Sequence, residues 1–460
     1  MIPTALEEIA EAVGGRLDSA NPDVTVTHVC SDSRLVRPGS LFVAVAGTRV
    51  DGHDFAPAAI ASGAVAVLGT RATGVPTVIV PDVLAALGRL ARFHLGRLSE
   101  VTVVGITGSV GKTTAKDLMA VVLRGRGSVV SPPGSFNNEL GLPLTVLEAD
   151  ADTDFLVLEM GARGKGHIAY LCEVAPPRIG VELVVGTAHV GEFGGQDAIA
   201  EAKAELVRAL PPEGIAVLNR DDPAVAAMAD VTSATVLWFG RGPGADVTAS
   251  DLDADDLDRA TFSLRTPQGD ARVTLRYIGA HAVPNALAAA SVGHAVGMGA
   301  AEIAEALSAA EPTSRWRMEV TRRPDGVTVI NDAYNASPES VRAALKSLKQ
   351  IAGPRRSWAV LGEMRELGDQ SVAEHDAIGR LVVRLNVQRL VVVGEGARPM
   401  QQAAALEGSW GQESIYVPDV QGALEVLRAE LRPDDVVLVK ASRAAGLEAV
   451  AAELLGEVPA

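Results

Sequence analysis

The chain has 460 residues, 48% of them hydrophobic, and a formal net charge of −16 from 41 basic and 57 acidic side chains. That length suggests roughly two to four domains, and the acidic balance argues against nucleic acid as a main partner, because a phosphate backbone demands a basic face. The two cysteines, Cys30 and Cys172, have neither metal-ligand nor redox spacing and read as buried thiols of a reducing compartment.

In chain order, the opening Met1-Ile2-Pro3-Thr4-Ala5-Leu6-Glu7-Glu8 lacks the basic region and long apolar core of a signal peptide. No uncharged apolar run reaches the roughly 18 residues of a membrane helix. A cytoplasmic monomer without a membrane segment is expected. Residues 1–98 mix short strands (41–46, 65–68, 77–80) with helices (6–13, 55–62, 83–98), a small α/β unit. From 99 to 314 the pattern alternates: strand 101–104, helix 115–123, strand 155–158, helix 168–172, strand 179–185, helix 196–210, strand 215–218. Such alternation argues a mostly parallel sheet with helices on both faces. The acidic stretch 251–258 reads as a solvated turn, followed by alternating strands at 261–264 and 272–277. Strands at 327–330, 358–361, 390–393 and 436–439 alternate with helices in residues 315–460, a second doubly wound α/β unit. Its Gly394-Glu395-Gly396 lacks the third glycine of a dinucleotide loop.

The chemistry concentrates at Gly105-Ile106-Thr107-Gly108-Ser109-Val110-Gly111-Lys112-Thr113-Thr114, between an apolar strand and a helix. A glycine loop there turns its N–H groups toward an anion, and the helix N-terminus adds partial positive charge. Lys112 can reach outer phosphates, and the Thr113 hydroxyl can ligate Mg²⁺. The common phosphate loop has its first glycine where this chain has Ile106, so the loop is a variant.

Other polar groups fall at strand ends, where ligands bind in open α/β sheets. Glu159 follows an apolar run and suits Mg²⁺; as a strand-end acid it needs no ligand. His189, after Gly186-Thr187-Ala188, can be a ligand or structural. Asn137-Asn138 stand at a loop-to-helix entry, where capping explains them equally well. Lys203, within Ala202-Lys203-Ala204-Glu205, reads from composition as a surface lysine paired along its helix. Asp332, in Asn331-Asp332-Ala333-Tyr334-Asn335-Ala336-Ser337-Pro338, can accept ribose hydroxyls, with Ser337 capping the helix that Pro338 begins.

Together these segments resemble the Mur ligases, the ATP-dependent amide ligases of peptidoglycan precursor synthesis. The family loop Gly-x-Thr-Gly-x-x-Gly-Lys-Thr-Thr/Ser fits residues 105–114 and accounts for the displaced glycine. The resemblance extends to Ser31-Asp32-Ser33-Arg34, Asp51-Gly52-His53-Asp54-Phe55, Phe136-Asn137-Asn138-Glu139-Leu140-Gly141, the Asp332 segment, Leu361-Gly362-Glu363-Met364 and Glu374-His375. It implies three domains: residues 1–98 binding the UDP end of a nucleotide-sugar peptide, 99–314 binding ATP, and 315–460 presenting the incoming amine. The substrates it implies are a UDP-N-acetylmuramoyl tripeptide and D-alanyl-D-alanine, joined through an acyl phosphate and a tetrahedral intermediate.

The resemblance also distributes roles. ATP would meet the loop Gly108, Ser109, Val110, Gly111, Lys112, Thr113 and Thr114, with Asn285 and Asp332 at base and ribose and Arg317 at a phosphate. Thr113 and Glu159 would hold one Mg²⁺, and His189 a second, with Lys203 as a carbamate beside it. Lys112, Lys203 and His189 would be the catalytic set. Ser31 and Arg34 would meet UDP, and Asn137, Asn138, Tyr334, Asn335, Ser442 and Arg443 would face substrate. Val184, Ala282 and Ala441 replace residues usual in the family. Two other readings are a folylpolyglutamate-synthase-like ligase and a degenerate phosphate-loop regulatory paralogue that hydrolyses ATP without forming a bond.

Overall fold

The computed structural model describes residues 1–47, 50–132, 134–186, 195–408 and 413–457. The chain is α/β, with helices and mostly parallel sheets in three successive units. In the first unit, strands His28–Cys30, Ser40–Val43, Ala64–Gly69 and Thr77–Ile79 run parallel, and Arg16–Asp18 closes one edge antiparallel. Leu6, Ile9, Ala10 and Val13, at helical spacing in helix Leu6–Val13, bury one face. Asp82 caps helix Val83–Leu95 by accepting from the Ala85 N–H.

The central sheet is parallel throughout, in the order Thr235–Phe239, Ile215–Asn219, Ile179–Glu182, Thr102–Thr107, Phe155–Glu159, Val129–Val130. The strand that feeds the glycine loop is therefore flanked by strands ending in Glu182 and Glu159. An antiparallel sheet of Thr248–Ala254, Arg259–Thr266 and Gly269–Ile278 follows. This corrects the expectation of a turn across 251–258. Only the residues after Ala254 turn, and the aspartates before it lie on an edge strand with a register shift between Ser250 and Asp253. An edge strand tolerates charge because one side faces water, and charge there blocks further pairing.

The third sheet runs Glu319–Arg322, Thr328–Asn331, Val436–Lys440, Ser357–Leu361, Arg389–Val393, Ser414–Val417, with only the first strand antiparallel. Apolar cores cover both its faces. Among the described residues, no helix is long and apolar enough to cross a membrane.

Candidate active site

Strand Thr102–Thr107 and helix Lys112–Leu123 set the loop between them. Gly108 and Gly111 take φ of 153° and 87°, left-handed values that side chains resist. A Cβ on Gly111 would stand 2.5 Å from Asn285 Oδ1, so Asn285, buried on helix Ala282–Ala295, backs the loop directly. The Ser109 N–H donates to Val184 O at 2.8 Å, and the Ser109 hydroxyl accepts from the Gly186 N–H at 2.9 Å. Val184 thus supports the loop through its backbone, which its side chain does not alter. Lys112 Nζ donates to Gly108 O at 2.6 Å. Burial pulls the Lys112 ammonium below its usual range, against the opposing charge of Glu159.

The loop opens on a cleft of about 880 Å³ between the central and third units. From the central unit it is lined by Ser109, Val110, Gly111, Lys112, Thr113, Thr114, Asn137, Asn138, Lys203 and Asn285. Arg317, Asp332, Tyr334, Asn335, Ser442 and Arg443 face them. Ser31 and Arg34 lie in the first unit, outside this lining. Arg34 is exposed and its guanidinium is paired with Asp32 at 2.6 Å. His189 lies outside the described residues.

Glu159 is fully buried; Oε2 accepts from the Ser135 hydroxyl at 3.0 Å, and Oε1 has no hydrogen-bond partner among the described residues. An orphaned, buried carboxylate oxygen at the end of the strand beside the loop strand fits a hard divalent cation, which takes oxygen ligands. Thr113 Oγ1 accepts from Arg317 Nη2 at 2.9 Å, while the guanidinium lies 4.2 Å from the Tyr334 ring.

Lys203 corrects its reading as a surface lysine. It is only 6% exposed and lines the cleft. Burial, helped by the charge of Lys112 and opposed by Glu182, lowers its ammonium from 10.5 to about 7. Glu182 escaped the sequence reasoning. It is wholly buried opposite Thr107, with neither carboxylate oxygen hydrogen-bonded among the described residues. Burial raises its carboxyl far above the usual range, against the attraction of Lys203. The available signal was a carboxylate closing the otherwise apolar strand Ile179–Glu182.

Across the cleft, Asp332 is held on both oxygens: Lys440 Nζ donates to Oδ2 at 2.6 Å and the Met318 N–H to Oδ1 at 3.2 Å. Lys440 also donates to Asn335 O at 2.8 Å, which ties the Asp332 segment to the strand beside it. Ser337 caps helix Pro338–Ala352 through a reciprocal bond with Ser340. Capping also accounts for Asn138, whose Oδ1 accepts from the Leu140 and Gly141 N–H groups. Asn137 instead donates to the Ser135 hydroxyl at 3.0 Å and so supports the Glu159 contact. The Ser442 hydroxyl accepts from the Arg365 N–H at 3.0 Å, and Arg443 covers the Trp316 ring at 4.0 Å.

A phosphate loop at the carboxyl end of a parallel sheet, facing a second doubly wound unit across a polar cleft, defines a nucleotide-dependent enzyme of group transfer. Residues 25–94 match the Mur ligase family catalytic domain, 106–293 the Mur ligase middle domain and 316–443 the Mur ligase glutamate ligase domain. The chain belongs to the Mur ligase family. It is 51% identical to the UDP-N-acetylmuramoyl-tripeptide–D-alanyl-D-alanine ligase of Mycobacterium tuberculosis, over 99% of this chain and 98% of that protein. The crystal structure of MurF from Acinetobacter baumannii is similar at a TM-score of 0.87 and 31% identity, covering 99% of each chain. That of MurF from Thermotoga maritima in complex with ADP is similar at 0.80 and 31% identity, covering 94% of this chain and 98% of the other.

Proposed function

We propose that this chain is an ATP-dependent ligase that joins the terminal carboxylate of a UDP-N-acetylmuramoyl tripeptide to the amine of D-alanyl-D-alanine, a step of peptidoglycan precursor synthesis. The observation that carries this reading is the juxtaposition of Lys112 and Thr113 with Arg317, Asp332 and Tyr334 across one cleft, in a chain similar over its full length to ligases of that activity. Residues 1–98 then hold the UDP end through Ser31 and Arg34, 99–314 hold ATP, and 315–460 present the dipeptide near Asn335, Ser442 and Arg443.

A carboxylate is a poor acyl donor because its leaving group would be oxide. Its attack on the γ-phosphate of ATP releases ADP and forms an acyl phosphate. The dipeptide amine attacks that carbonyl, and phosphate leaves from the tetrahedral intermediate. Two anions must approach in the first step. The loop N–H groups, Lys112 and Arg317 lower that repulsion, and they are fixed before the reaction begins. Asn285 and Asp332 orient base and ribose, with Asn137 and Asn138 on the peptide side. Thr113, Glu159, His189 and Lys203 as a carbamate would hold Mg²⁺, which supplies charge neutralisation at the phosphate oxygens. As an ammonium, Lys203 would repel a cation; as a carbamate it offers two oxygens. Carbamate formation needs the neutral amine, which a pKa of about 7 makes available near neutrality.

Phosphate release measured with each substrate alone and with both tests the proposal. Release that requires the muramoyl tripeptide, with a product heavier by one dipeptide less one water, is the expected result. ATP hydrolysis indifferent to both substrates would favour the regulatory paralogue and sink the ligase reading.

A further inference from the structure

The helix that carries the phosphate loop also buries an adjacent pair of charges that the chemistry above does not use. Lys116 Nζ and Asp117 Oδ1 are 2.8 Å apart, and Lys116 is fully buried. Lys116 also donates to Pro132 O and Gly134 O, the backbone leading to Ser135 and so to Glu159. The other oxygen of Asp117 accepts from the Ser314 hydroxyl at 2.6 Å. Ser314 lies in the connection from helix Ala300–Ala309 to strand Glu319–Arg322, which Tyr277 also ties by donating to Glu311 O at 3.1 Å.

Just beyond Ser314 the backbone is strained. Trp316 and Met318 take φ of 59° and 52°, left-handed values that are unfavourable for bulky side chains, and Arg317 stands between them. Such strain persists only where the surroundings over-determine it. On the downstream side they do: the Tyr334 N–H donates to Trp316 O, and the Met318 N–H to Asp332 Oδ1. Upstream, the buried side-chain anchor next to the turn is Asp117, while the nearby Arg315–Glu457 pair is exposed. Arg317, so placed, reaches Thr113 on the same helix as Asp117.

We propose that Asp117 is a positioning residue for Arg317: through Ser314 it anchors the strained turn 315–318, so one helix both carries Thr113 and sets the guanidinium against it. Lys116 holds Asp117 in that pose and fixes the segment that aims Ser135 at Glu159. The inference rests on the reading that Arg317 acts at the phosphates of ATP.

Ser314→Ala removes one hydroxyl from a half-buried residue and is the cleanest test. In the free protein, amide exchange at 316–318 should quicken about tenfold, with strand Thr102–Thr107 unchanged. Losing one hydrogen bond is worth roughly a 2- to 10-fold effect, so kcat should fall about fivefold while KM for ATP moves less than twofold. Ser314→Thr, which keeps the hydroxyl, should match the parent. In an Arg317→Ala background, Ser314→Ala should cost nothing further. Unchanged exchange, or the same fivefold loss with Arg317 already gone, would overturn the proposal. If the parent itself fails to ligate, the functional reading falls and the exchange result alone decides the anchor. If the parent ligates and Ser314→Ala equals it in rate and exchange, only the anchor falls.

Discussion

Where the first unit meets the central one, Leu87 and Leu90 of helix Val83–Leu95 are wholly buried in one core with Leu142, Val146, Leu158 and Leu171. Where the central unit meets the third, the facing groups are Thr113, Lys203, Arg317, Asp332 and Arg443 around an open cleft. The third sheet meanwhile covers its apolar faces mostly with its own helices, and from the central unit Leu257 and Ile278 pack against one of the two cores. Apolar burial is strong and non-directional, so the first junction makes a two-unit base. A polar cleft gains little from closing on itself, because its groups already have polar partners, as Thr113 has in Arg317 and Asp332 in Lys440. Closure is expected when a ligand supplies partners, as enzymes that must exclude water from an acyl phosphate require. The first junction is therefore expected to govern stability and the second turnover.

Substitutions on the two sides should separate those properties. The largest effect belongs to Lys112→Ala, which should lower ligation by about a hundred- to a thousandfold with an unchanged melting temperature. Near-parent phosphate release from that variant would refute the role of the loop. Lys203→Ala should lose about a hundredfold and recover part of it when a small carboxylic acid is added, since the acid would stand in for the proposed carbamate. Lys203→Arg should stay inactive, because guanidinium remains cationic. A Lys203→Arg variant at the parental rate would end the carbamate account.

On the apolar side the signs reverse. Leu90→Ala should cost about 2–5 kcal/mol of stability, read by denaturant unfolding, with turnover per folded molecule within about twofold of the parent. A stable variant with lost activity would erase the contrast between the junctions. Scattering should show the third unit drawing toward the base when an ATP analogue and the tripeptide bind together. Identical profiles with and without ligands would argue that the cleft is fixed.

The smallest effect concerns Cys172, in the shared core, whose thiol burial raises from 9.0 to about 12. Between those values the unfolded chain ionises a thiol that the fold keeps protonated. The unfolded state then binds fewer protons, so stability falls as pH rises from about 9 to 12. Cys172→Ala should flatten that part of the stability–pH curve. An unchanged slope would mean that other groups set it.

The strand, glycine loop and helix around Lys112 were legible in the residues alone, because each is specified within a few positions. An apolar run, glycines where left-handed backbone is needed and a helical repeat require no distant partner. Helix Leu6–Val13 and the capping by Ser337 and Asn138 were readable for the same reason. The acidic run at 251–258 misled, since its charge suggested a turn and said nothing about an edge strand.

What the residues could not reveal is which polar side chains end up inside. Lys203 sits in an Ala-Lys-Ala-Glu pattern that reads as surface, yet it is buried and feels the charges of Lys112 and Glu182. Asn285 meets Gly111, Lys440 meets Asp332, and Asp117 meets Ser314, each across more than a hundred residues of chain. Local pattern follows backbone hydrogen-bond period and turn chemistry, which the sequence itself dictates. The burial and pairing of a charged group depend on the shape and charge of whatever folds against it, and that exists only once distant segments of a unit have packed together.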